Sequence, residues 1–100
     1  MTEGHVETAY KITTKGKKKL EEKGKFTEIK DLLLYVDGSG DCTIEELLRK
    51  DIEEGIEIIK GEHNEEDVKI RTNLLQNLHK FLEEAVKEGF IETEQVNVTD

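Results

Sequence analysis

One hundred residues and 11.5 kDa suit a single hydrophobic core, and 24 acidic against 15 basic side chains leave a formal charge of −9. Charged residues (39%) outnumber apolar ones (34%), yet the apolar ones are clustered, which argues against wholesale disorder. The lone Cys42 excludes an internal disulfide and a Cys-rich zinc site, and no apolar run reaches the roughly 18 residues of a membrane span.

In chain order, His5 to Thr13 alternates, with Val6, Thr8, Tyr10 and Ile12 on one side and Glu7, Ala9 and Lys11 on the other, the period of a half-buried strand. Thr14 is a cap for a short helix through Lys23 that Gly24 stops; Leu20 is its one apolar residue, so burial holds it poorly. Phe26, Ile29, Leu32, Leu33 and Val36 predict a second helix capped by Thr27 and ended by the loop from Asp37 to Cys42. Thr43 and Glu46 have capping-box spacing for a third, whose apolar face is Ile44, Leu47, Leu48, Ile52, Ile56 and Ile59. Gly55 marks a break near Asp51 to Gly55, and Gly61 ends the element. Asn64 with Asp67 resembles another cap, followed by the longest helix, from about Glu65 to Glu88, with Leu74, Leu75, Leu78, Phe81, Leu82, Ala85 and Val86 as its stripe. Gly89 stands where a left-handed residue closes a helix, Phe90 packs back on the last turn, and Phe90 to Thr99 reads as a closing strand. The two terminal segments are suited to pair over the helices. The expected class is helix-rich α+β: about four helices with a small antiparallel ribbon, in one domain spanning 1–100.

Charge is segregated. Residues 1–30 carry a net +3 and residues 31–100 a net −12. The basic cluster of Lys15, Lys17, Lys18, Lys19, Lys23 and Lys25 suits phosphate contact, or else is a solvated face balanced by Glu21 and Glu22. The loop after the second helix has Asp37, Ser39 and Glu46 at calcium-ligand spacing about Gly40, but Tyr35 stands where the first carboxylate belongs. His5, His63 and His79 lack metal-site spacing, His79 falling beside the core stripe. Cys42 has no neighbouring His, Ser39 lacks a nucleophile elbow, and Asn97–Val98–Thr99 reads as a chance sequon. No catalytic constellation, metal site or cofactor is expected, and a start without a signal-peptide core adds the expectation of a cytoplasmic protein.

Two phrases resemble winged-helix domains. Leu78, Leu82, Val86, Lys87, Gly89, Phe90 and Ile91 follow the order in which that family's helix turns into its first wing strand, and Thr43–Leu48 resembles its second helix. Tyr10–Lys11–Ile12–Thr13–Thr14–Lys15–Gly16 resembles the seam where a last wing strand enters a following helix. Here the seam phrase precedes the helices instead of following them. The resemblance implies a winged-helix-like frame whose long helix presents Lys69, Asn73, Gln76 and Lys80 along one outward line, with Arg71 nearby. No acid lies between Val68 and Leu82.

Two function classes follow. One is a small nucleic-acid-associated regulator binding duplex DNA, as a monomer or a homodimer, through Lys15, Lys17, Lys18 and Lys19 on phosphates and Lys69, Arg71, Asn73, Gln76 and Lys80 toward a groove. The other is an interaction module on the same frame, whose acids (Glu45, Glu53, Glu54, Glu57, Glu62, Glu65, Glu66, Asp67) steer it toward a basic protein partner. The family resemblance ranks the first slightly ahead; the total charge weighs against it.

Overall fold

A computed structural model describes residues 4–40, 42–62 and 65–99. In chain order these form β1 (Gly4–Ile12), α1 (Thr14–Glu21), α2 (Glu28–Gly38), β2 (Thr43–Ile44), α3 (Glu45–Lys60), α4 (Glu65–Gln76), α5 (Leu78–Glu88) and β3 (Ile91–Thr99). The class is α+β, with five helices and one three-stranded antiparallel sheet of order β2-β1-β3 among the described residues. The expected cap at Asn64 lies outside the described residues.

The terminal segments do pair, over nine positions from Ile12↔Ile91 to Gly4↔Thr99. Alternation holds only where helices cover the sheet: Ile12 and Ile91 are buried and Tyr10 packs on the core, whereas Val6 is 61% exposed. Nine strand residues run about 30 Å. The half bearing Gly4, His5, Val6 and Asn97 therefore stands clear of the core in a molecule measuring 47 × 29 × 21 Å. Ala9, on the face expected to meet solvent, is buried in the central strand between Ile44 and Glu94.

The core joins Leu32, Leu33 and Val36 of α2, Leu48, Ile52 and Ile56 of α3, Leu74 of α4 and Leu78, Leu82 and Ala85 of α5 to Ile12 and Ile91. Three local expectations yield to this packing. Thr43 pairs with Tyr10 as part of β2 and is buried, so the capping box with Glu46 does not form and α3 starts behind Ile44 without a side-chain cap. Gly55 does not break α3, which runs through to Lys60. The single long helix is two, interrupted at Asn77 (φ −122°, ψ 29°), whose side-chain amide donates to Asn73 O (3.1 Å) and Asn73 Oδ1 (2.9 Å). Asparagine offers the backbone such local partners in place of a regular helical turn.

Helix α1, poor in apolar residues, is held at its start by hydrogen bonds to the far end of α5. Thr13, not Thr14, is its cap. The Thr13 hydroxyl accepts from Gly16 N (3.1 Å), and its proton lies between the carbonyls of Gly89 (2.6 Å) and Phe90 (3.0 Å). Thr13 N donates to Phe90 O at 3.0 Å. Gly89 adopts the expected left-handed conformation (φ 82°), and Phe90 N closes back on Ala85 O at 2.9 Å. Gly16 lies against the Phe90 carbonyl, where a side chain would collide with main chain that cannot move aside.

Gly16→Ala should therefore cost about 2–4 kcal/mol in urea unfolding, although alanine favours a helix by about 1 kcal/mol. Gly38→Ala, at an open position in α2, should be neutral or stabilising by up to about 1 kcal/mol in the same measurement.

Candidate functional site

The side chains expected to meet nucleic acid do not form one surface. Lys15 and Lys19 are drawn to the end of α5: Lys15 Nζ donates to Glu88 O at 2.7 Å, and both ammonium groups lie over the Phe90 ring, 5.5 and 5.9 Å from its centroid. Lys15 thus satisfies a carbonyl at the negative end of a helix dipole. Lys19 also pairs with Glu22 at 3.2 Å. Lys17 and Lys18 are exposed. Lys69, Asn73 and Gln76 are exposed on α4, before the other end of α5, and the Asn73 side-chain oxygen is occupied by Asn77. Lys80 is exposed but shares its surface with Glu83, Glu84 and Glu88.

Arg71, expected beside the outward line and toward a groove, is the clear departure. Its Nε and Nη2 grip Asp31 Oδ2 and Oδ1 at 3.1 and 3.0 Å, its Nη1 reaches Gly55 O at 3.4 Å, and its guanidinium lies 5.3 Å from the Tyr35 ring centroid. The Arg71 side chain is 16% exposed and that of Asp31 is 0%. The reason lies forty residues away in the chain: Asp31 interrupts the apolar face of α2 with a carboxylate that must find a cation once buried. Gly55 is explained by the same cluster, because a methyl group there would collide with the Tyr35 hydroxyl and crowd Arg71 Nη1. The signal in the sequence was an acid within an apolar stripe together with a glycine inside a helix.

Burial pushes the Asp31 carboxyl up from its ordinary 3.8, against the hydrogen bonds and charge of Arg71. Burial lowers the Arg71 value more than any other single influence, but the hydrogen bonds and charge of Asp31, with the charges of Tyr35 and Asp67, together hold it above its usual value. Burial likewise raises the Tyr35 phenol, with Arg71 opposing. Beside this cluster, α2 and α3 enclose an open groove of about 450 Å³ lined by Leu34, Tyr35, Asp51, Glu54, Ile58 and Arg71.

The remaining candidates are dispersed. His79 does not flank the core but is 69% exposed, 2.9 Å from Glu83 and 3.5 Å from Glu45. On the sheet side, burial and then the charges of Glu45 and Glu83 raise the Tyr10 phenol. The Ser39 hydroxyl donates to Tyr35 O at 2.7 Å, which ties it to the end of α2. Cys42 Sγ lies 3.7 Å from Glu94 Oε2. Asp41 and His63 lie outside the described residues. Among the described residues no three His, Cys, Asp or Glu side chains are grouped to hold a metal ion, and no helix is long and apolar enough to cross a membrane.

Arg71→Met should cost about 3–5 kcal/mol by leaving a buried carboxylate unpaired, and Asp31→Leu combined with Arg71→Met should recover most of it, measured by urea unfolding. The raised Asp31 value also fixes a pH dependence. Above 3.8 the unfolded chain releases this proton while the native state still holds it, so this group makes stability fall as pH rises through that window, until the native value is passed. Stability of the wild type should therefore decline relative to Asp31→Asn as pH rises from about 4, and become parallel to it above the native value.

No protein-family model matches the chain, and neither a curated protein nor a solved structure matches it significantly, so the roles of these residues rest on their geometry.

Proposed function

We propose that this protein is an acidic protein-interaction module on a winged-helix-like frame that does not bind duplex DNA. The observation that carries the reading is the withdrawal of Arg71 into the Asp31 pair, beside a groove whose exposed rim is apolar and acidic. Of the cations expected on a phosphate backbone, Lys15 and Lys19 serve the junction with α5. A polyanion approaching a chain of charge −9 is repelled unless a compact basic patch outweighs that field, and the lysines expected to meet it are spread over α1, α4 and α5.

The winged-helix likeness draws support from how the two resembling phrases meet. The strand after α5 and the strand entering α1 are antiparallel partners, with Ile12 opposite Ile91 and Tyr10 opposite Thr93, and Gly16 lies on the Phe90 carbonyl. Wing pairing needs two adjacent strands and is indifferent to which comes first in the chain. A cyclic rearrangement of element order accounts for the seam phrase standing ahead of the helices.

The second reading is the nucleic-acid-associated regulator, as monomer or homodimer. It is favoured by the ribbon that stands clear of the core and by the exposed Lys17 and Lys18 on α1. A fluorescence titration with a mixed-sequence duplex separates the two. The interaction reading expects no saturable binding even at low salt. Saturable binding that weakens steeply with salt and is abolished by Lys17→Glu with Lys18→Glu would overturn it in favour of the regulator.

A further inference from the structure

Helix α3 carries a solvent-facing stripe that its fold leaves unused. Leu47, Asp51, Glu54 and Ile58 follow at steps of four, three and four residues, so they share one face over about 16 Å. Leu47 and Ile58 are 51% and 66% exposed, and Leu34 of α2, at 50%, lies across the groove from Ile58. Exposed aliphatic side chains on one face of a −9 protein are costly to hydration unless something covers them.

The groove has the chemistry of a binding cleft for one kind of partner. Among its lining residues Leu34, Ile58, Asp51 and Glu54 are exposed and Tyr35 is half-buried. Arg71, the cation among its lining residues, is neutralised by its bidentate grip on Asp31. The accessible charge is therefore negative. Gly38 leaves the channel open on the α2 side, while the space at Gly55 is taken by the Tyr35 hydroxyl and Arg71. The Asp31–Arg71 pair joins α2 to α4 beneath the channel, and the Arg71 contact to Gly55 O fixes α3 to the same point, so the walls are held in register before any partner arrives.

We propose that the α2–α3 groove is the docking site for a basic amphipathic helix of a partner protein. Two or three apolar side chains of that helix, one turn apart, seat against Leu34, Tyr35 and Ile58, and flanking Lys or Arg side chains pair with Asp51 and Glu54. A helix fits better than a strand, because the walls are helices and no sheet edge borders the groove. The negative field steers the basic helix in, and the apolar contacts hold it. This assignment rests on the interaction-module reading and adds the site and the chemical character of the partner.

The test uses the full chain, isotopically labelled for NMR, and three synthetic helical peptides of equal length. The first is an amphipathic Leu/Lys helix, the second keeps the Leu pattern with Glu for Lys, and the third keeps Lys with Ser for Leu. The Leu/Lys peptide should bind saturably, with amide shifts concentrated at residues 34–39 and 51–58, and the other two should bind at least about tenfold more weakly. Asp51→Lys with Glu54→Lys, and separately Ile58→Ser, should each weaken binding about tenfold. Glu83→Lys with Glu84→Lys, the same change of net charge on α5, should leave it within about twofold. Equal loss from both charge reversals, equal binding of the Lys/Ser peptide, or shifts confined to another face would overturn the groove while leaving the module reading intact. Failure of every peptide together with saturable duplex binding would overturn both.

Discussion

The bidentate contact between Arg71 and Asp31 is the constraint around which the helical layer is organised. It joins α2 to α4, and through Gly55 O it touches α3 as well. A carboxylate with no exposed surface is tolerable only with a cation and a full set of hydrogen bonds, because desolvating the charge alone costs several kcal/mol. Its value to the protein is directional more than energetic: leucine and isoleucine contacts admit many helix registers, whereas a planar guanidinium on a carboxylate admits few. The glycine in α3 belongs to the same constraint. Any side chain there would collide with Tyr35 and crowd Arg71, so the helix gives up about 1 kcal/mol of propensity for close approach.

A second junction secures the ends of the fold. Thr13 serves at once as the cap of α1 and as a hydrogen-bond partner for the carbonyls that α5 leaves behind at Gly89 and Phe90. Lys15 satisfies one more carbonyl of that helix end. Groups orphaned at the end of one helix are thus met by groups at the start of another, and a helix with little to bury acquires a fixed position. The lysines that lend the first thirty residues their positive charge are partly committed to this junction, which alters what that charge can do for a ligand.

These two junctions bear on function through electrostatics. Each takes basic groups out of circulation, one by burial against a carboxylate and the other by capping and ring contacts. What remains exposed along the α2–α3 groove is aliphatic and acidic, namely Leu34, Ile58, Asp51 and Glu54. On the proposed interaction reading, such a groove disfavours phosphate and suits a cationic partner with apolar anchors, and this balance weighs more with that reading than fold class does.

Much of the frame was legible in the sequence because its signals are local. The alternation of β1, the Thr27 cap, the stripe through Leu78, Leu82 and Ala85 and the left-handed Gly89 each depend on residues a few positions apart. The sequence by itself determined an acidic chain with an aliphatic core, most of the helical segments though not their breaks, and two β-prone ends able to pair. Tertiary structure decided the rest, because those choices set one long-range contact against a local preference. Thr43 gave up a capping box to pair with Tyr10, Asn77 interrupted a continuous stripe, and Gly55 proved to be room for Tyr35 instead of a break. Arg71, which the winged-helix resemblance set among the groove-facing residues, turned inward because Asp31, forty residues earlier in the chain, was buried with a charge that only a cation at that point could meet.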